Sequence, residues 1–85
     1  MATATPSPTP NPNAMRYGLD VTLAGTFNVT DPASAPDNPF VQEVFAAGGV
    51  ATLFGVNDFV TVTRLPGADW DAITAAVQAA AASHL

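Results

Sequence analysis

Eighty-five residues suit one small domain, which buries only about 60 to 65% of the surface its unfolded chain exposes, so few apolar residues can be spared from a core. The formal net charge is -5, and Arg16 and Arg64 are the only strongly basic side chains, which excludes a protein that binds nucleic acid by neutralising phosphates. There is no cysteine, so disulfides, thiol redox chemistry, thiolate metal sites and Cys-ligated iron-sulfur clusters are excluded, and any metal chemistry would rest on carboxylates and His84.

The chain opens on Met-Ala-Thr-Ala-Thr-Pro-Ser-Pro, small, polar and proline-spaced, a composition that predicts a disordered arm over residues 1–8. It has no basic start and no apolar run before Met15, and no stretch approaches the ~20 apolar residues of a membrane span, so no leader and no transmembrane segment are expected and the protein reads as cytoplasmic. In Thr9-Pro10-Asn11-Pro12-Asn13 each proline biases its predecessor toward extended geometry and each Asn can turn the chain, an ordered lead-in to a strand. From Met15 to Val21 the pattern alternates strictly, with Met15, Tyr17, Leu19 and Val21 on one face and Arg16, Gly18 and Asp20 on the other. Gly25 precedes Thr26-Phe27-Asn28-Val29-Thr30, predicted as a second strand returning on the first through a short hairpin link, Thr22-Leu23-Ala24.

Residues 31–37 read as a loop that delivers the chain to a helix, capped by Asp37 or Asn38 with Pro39 in its first turn, where a missing N-H has no partner to lose. Val41, Val44 and Phe45 form its buried stripe, and Gly48-Gly49 ends it with a left-handed residue. Two runs rich in β-branched and aromatic residues, around Gly55-Val56-Asn57-Asp58, then predict a hairpin over residues 50–64. With an even loop, Ala51 and Leu53 share a face with Val60 and Val62 while Phe54 and Phe59 share the other; a bulge near Gly55 would instead put Phe54 with the valines. The even loop is the favoured register. Asp69 caps a last helix whose Trp70, Ile73, Val77 and Ala80 recur at helical spacing, and the alanine run 79–82 lets it lie close on a sheet. The order ββαββα implies an α+β two-layer sandwich: a mostly antiparallel four-stranded sheet with two helices on one face.

Three blocks of the chain resemble a known family. They are Thr9-Pro10-Asn11-Pro12-Asn13 followed by a strand bearing Arg16; Asn38-Pro39-Phe40 with Phe45 and Gly49-Val50; and Phe54 through Asp58-Phe59-Val60-Thr61-Val62-Thr63. In this order they resemble the N-terminal domain of Nfu, the NifU-like scaffold proteins of iron-sulfur cluster assembly, over residues 9–85, taken as a single domain. The family usually has Lys where this chain has Arg16. The resemblance implies the sandwich fold and a role in contacting proteins of the assembly or delivery pathway. It also implies that a cluster is held by a Cys-x-x-Cys in a separate C-terminal domain; this chain, ending at Leu85, is expected to be a stand-alone copy that holds no cluster and no cofactor.

Residues 11–13 and Arg16 are candidates for a binding edge, since loops carry function more often than cores do. Phe54 and Phe59, with Val50 and Val56, are candidates for an exposed apolar patch, bordered by Asp58 in the hairpin loop. Asp69 and Asp71 are better explained as helix-start carboxylates than as an acid-base pair, and His84 as a helix-end residue than as a ligand. Asn28-Val29-Thr30 spells a glycosylation acceptor but lies in a predicted strand. No nucleophile elbow or phosphate loop occurs. The expected function is therefore a non-catalytic, monomeric interaction module for iron-sulfur assembly or client proteins, a separate Cys-x-x-Cys protein among them, with neither nucleic acid nor membrane as a partner. The alternatives are a regulatory or small-ligand-binding domain unrelated to clusters, and an enzyme in which two of Asp20, Asp31, Asp58, Asp69 and Asp71 converge in a cleft.

Overall fold

The computed structural model describes residues 2–23, 27–30 and 38–85. Its elements run β1 (Ala4–Pro8), β2 (Ala14–Leu19), β3 (Phe27–Val29), α1 (Pro39–Ala46), β4 (Val50–Val56), β5 (Phe59–Arg64) and α2 (Trp70–His84). The strands form one antiparallel sheet in the spatial order β1-β2-β5-β4-β3. The α+β class is as expected. The sheet has five strands and not four, because the stretch read as a disordered arm supplies β1.

Proline content misleads there because it matters only on the side of the strand that pairs. The Ala2 N-H donates to the Ala81 carbonyl (3.2 Å) and Gln78 Nε2 donates to the Ala4 carbonyl (3.2 Å), so these alternate residues turn their backbone groups away from β2 and toward α2. Pro6 and Pro8 fall on the same alternation, where a missing N-H removes no ladder bond. Between them the Thr3 N-H donates to Asp20 Oδ1 at 2.8 Å on the β2 side. Ala2 and Ala4 are buried, so the arm also adds apolar contact to the core.

The second correction concerns β3. It pairs with β4, Val29 opposite Leu53, and not with β2. After β2 the chain runs across the β4-β5 turn, where the Leu19 N-H donates to the Asp58 carbonyl (2.7 Å) and the Leu23 N-H to the Asn57 carbonyl (2.6 Å), and it reaches the far edge of the sheet. A short link looked sufficient for a hairpin, but the place beside β2 is taken by β5. Asn28 pairs with Phe54 in β3; Ala24 of the expected link, Gly25, Thr26 at the start of the expected strand, and the loop 31–37 lie outside the described residues.

The central hairpin has the even register. Val56 pairs with Phe59 across the two-residue turn Asn57-Asp58, and Asn57 takes the positive φ (56°) that the turn requires. Leu53, Val60 and Val62 are buried on one face, together with Tyr17 and Leu19 of β2. A bulge does occur, at Ala51 and not near Gly55: Val50 pairs with Arg64 and Thr52 with Thr63. The extra residue reverses the alternation, so Val50 turns into the core and leaves the patch in which it was expected.

Both helices cover that buried face. The Asn38 side chain accepts from the Phe40 N-H (3.0 Å) and the Val41 N-H (3.4 Å), with Pro39 following, so α1 starts as expected and buries Phe40, Val41 and Val44. Asp69 caps α2 by accepting from the Asp71 N-H (3.0 Å), and Ile73, Val77, Ala80 and Ala81 are buried. The small side chains Ala80 and Ala81 bring α2 close enough to reach the backbone of β1. Among the described residues, no helix is long and apolar enough to cross a membrane.

Candidate functional site

Strand alternation leaves the second face of the sheet without a helix among the described residues. Across it, from β4 to β5 to β2, run Phe54 opposite Thr61 and Val56 opposite Phe59, then Thr61 opposite Arg16 and Phe59 opposite Gly18. Thr52 and Thr63 continue it toward one end, and Thr5 and Ser7 of β1 lie beyond Gly18 and Arg16. Phe54 is 37% exposed, while Phe59, Val56, Thr61 and Thr63 are half-buried by one another. The Arg16 guanidinium lies over the Phe59 ring, its central carbon 3.9 Å from the centroid, a cation-π contact that fixes both side chains.

Of the residues singled out in the sequence, the structure thus brings together Arg16, Phe54 and Phe59. Asp58 sits in the turn at the edge of the same face, exposed, its carbonyl held by the Leu19 N-H. Residues 11–13 do not join them. They form the β1-β2 turn at the opposite end of β5, a strand length of roughly 20 Å from Asp58. Their acceptors are committed locally: Asn11 Oδ1 accepts from the Asn13 N-H (2.9 Å), Asn13 Oδ1 accepts from Arg64 Nε (3.3 Å), and the Pro12 carbonyl accepts from Trp70 Nε1 (3.3 Å). The Thr9 hydroxyl donates within the same turn, with the Asn11 carbonyl at 2.9 Å and the Ala14 carbonyl at 3.0 Å. The segment is exposed and well ordered by its own bonds, with Arg64 as the peg.

The threonine rows and Val56 complete the face, and alternate positions of β4 and β5 would have located them once the register was known. Leu65, 46% exposed, is the other large apolar side chain at the surface among the described residues; it stands in the turn after β5 and not on the open face.

Four of the described aspartates fall at the two ends of the sheet. Asp20 and Asp58 lie at one end of the sheet and Asp69 and Asp71 at the start of α2, at the other; Asp31 is outside the described residues. No group of three or more His, Asp or Glu side chains is placed to hold a metal ion among the described residues. His84 Nε2 contacts Glu43 Oε1 at 3.2 Å, tying the end of α2 to α1. The Tyr17 phenol is pushed up by desolvation, opposed more weakly by its hydrogen bond with Thr74 (2.9 Å). It belongs to the packing of α2 on the sheet, not to the open face.

Comparison with known proteins agrees with this architecture. The family model described as scaffold protein Nfu/NifU N terminal matches residues 5–85, which takes in most of β1 as well as the three sequence blocks. The chain is similar to the crystal structure of protein SAV1430 from Staphylococcus aureus, 27% identical, with a TM-score of 0.76 and coverage of 92% of this chain and 96% of that one. The solution structure of the same protein gives 28% identity, a TM-score of 0.68 and coverage of 89% and 85%. A solution structure of a Staphylococcus epidermidis protein, 23% identical with a TM-score of 0.60 and 93% coverage of each chain, shares the fold. No curated protein matches. With the five-stranded sandwich, the open face and a family match from Thr5 to Leu85 in agreement, the chain belongs to the Nfu/NifU N-terminal scaffold-protein family.

Proposed function

We propose that this domain is a non-catalytic docking module of iron-sulfur cluster assembly or delivery, which binds scaffold or client proteins through the open face of its sheet and holds no cluster itself. The observation that carries the reading is the helix-free face on which Phe54, Val56 and Phe59 stand beside Arg16. An apolar strip rimmed by hydroxyls is the surface composition of a protein-binding site. The absence of cysteine from these residues leaves cluster ligation to a partner, of which a Cys-x-x-Cys protein is one. Asp58 would border a docked partner; the turn at residues 11–13 would meet only one that spans the sheet from end to end. The reading takes the domain as a cytoplasmic monomer.

The test is recovery of partners from native lysate by the wild-type domain beside a Phe54→Ser, Phe59→Ser variant. Because both rings lie outside the core, circular dichroism should show the variant folded, whereas Leu53→Ala, one residue from Phe54 and fully buried, should cost about 3 kcal/mol. Iron-sulfur scaffold or client proteins should be enriched by the wild type and lost with the folded variant. If the wild type recovers none, the pathway is wrong. If the folded variant recovers the same set, the face is wrong.

A further inference from the structure

The open face differs from the rest of this acidic surface in its charge. None of the five strands carries an acidic residue, although the chain has seven. Arg64, the other guanidinium, is committed to the Ala68 carbonyl, Asn13 and the Trp70 ring. Arg16 is held on one side by the Phe59 ring, and no carboxylate among the described residues lies within ion-pair distance of it. Arg16 is exposed on the same face as Phe54, Val56 and Phe59, so its guanidinium is open to a partner on the side away from the Phe59 ring. A planar fork pre-ordered by an aromatic ring matches a carboxylate in two parallel hydrogen bonds, and it is ordered before the partner arrives.

We propose that the partner segment seated on this face presents an isolated carboxylate next to apolar side chains, the carboxylate on Arg16 and the apolar groups on Phe54 and Val56. This inference rests on the docking reading above and adds the chemistry of its partner. The net charge of -5 sets a limit on it. Asp58 immediately precedes Phe59, over whose ring the Arg16 guanidinium lies, so an acidic partner meets a carboxylate at the turn end of the face as well as the cation. One carboxylate at Arg16 is tolerated, while a polyacidic tract would meet the carboxylates at both ends of the sheet. A basic segment would find the reverse: repulsion at Arg16 and attraction only at the rim.

The experiment selects binders of the folded wild-type domain from a library of random peptides, then measures the selected peptides against variants. Selected sequences should carry Asp or Glu adjacent to an aromatic or aliphatic residue, and their binding should fall about fivefold or more with Arg16→Gln. Replacing the peptide's acid by its amide should cost the same, and the two losses should not add. Phe54→Ser should weaken acidic and neutral peptides alike. Selection of basic or uncharged sequences, or affinity indifferent to Arg16→Gln, overturns the acidic partner. If those sequences still depend on Phe54, the docking face itself survives. Binders mapping away from Phe54, or no enrichment at all, overturn both. Self-association of the wild-type domain lost in Phe54→Ser but kept in Arg16→Gln would make a second copy the occupant with no carboxylate on Arg16, and would also overturn the proposal.

Discussion

Asn13 and Arg64, 51 residues apart, are joined twice: the Arg64 N-H donates to the Asn13 carbonyl at 2.8 Å, and Arg64 Nε donates to Asn13 Oδ1 at 3.3 Å. The same guanidinium reaches the Ala68 carbonyl (3.1 Å) and the Trp70 ring, whose indole N-H returns to the Pro12 carbonyl. The β1-β2 turn is thereby fastened to the start of α2. Arg64→Met should cost about 1 to 2 kcal/mol and Asn13→Ala about 1, and the double variant less than their sum, because the losses share a partner. Urea unfolding measures the energies. Trp70, the single tryptophan, should shift its emission to the red in the folded Arg64 variant as its ring loses its cover.

This clasp marks the limit of what the sequence made legible. Period-two alternation identified β2 and the central hairpin, and the even loop correctly separated Leu53 from Phe54. Capping chemistry narrowed the start of α1 to Asp37 or Asn38, of which Asn38 is the cap, and placed Asp69 correctly, since a cap depends on two or three neighbouring residues. What failed was decided by distant partners. The pairing of β3 depends on β5 occupying the edge of β2, and β1 exists because α2 covers its outward backbone groups. The bulge at Ala51 left no mark in composition, yet it moved Val50 from the surface to the core. For the site, Phe54 and Phe59 were read as one patch and Arg16 as part of another; bringing Arg16 to that patch needed the β2-β5 register, which no local pattern encodes.

Both glycines after α1 take positive φ, Gly48 at 81° and Gly49 at 80°, but only one is also confined. A Cβ on Gly49 would stand 3.1 Å from the Ala68 Cβ and 3.7 Å from Ile73 Cδ1, while one on Gly48 would meet nothing within 4 Å. Gly48→Ala should therefore cost about 1 kcal/mol, the strain of the left-handed backbone alone. Gly49→Ala should cost about 2 kcal/mol or more, since the β5-α2 corner must also move. Parallel urea midpoints decide it: equal losses would mean that the corner yields freely.

The edge of the sheet at β1 is protected by chemistry and not by length. Ala2 and Ala4 are occupied by α2, and Pro6 and Pro8 offer no donor to an incoming strand. Pro6→Thr, Pro8→Val should restore two outward N-H groups and raise the β-propensity of the edge. Light scattering at rising concentration should then detect heavier species than the wild type forms at the same concentration, with the folded spectrum unchanged. Identical masses would mean that α2 alone protects the edge.

Tyr17 gives the domain a predictable response to alkali. Its side chain is fully buried between the sheet and α2, and burial pushes its phenol above the ordinary value of 10, the Thr74 hydrogen bond acting against this more weakly. Below pH 10 the phenol is protonated in folded and unfolded chains alike, and its contribution to stability is intact. As the pH rises past 10 the unfolded chain releases its proton first, so it binds fewer protons than the folded chain and stability falls, until the folded phenol itself ionises. The sequence has no lysine, no cysteine and no second tyrosine. Urea midpoints for the wild type should decline above pH 10, and tyrosinate absorbance should develop at higher pH in the native protein than in urea. Tyr17→Phe should lose about 1 kcal/mol at neutral pH with the hydroxyl pair and should show no alkaline decline. A decline that persists in Tyr17→Phe would assign the alkaline response to some other part of the molecule.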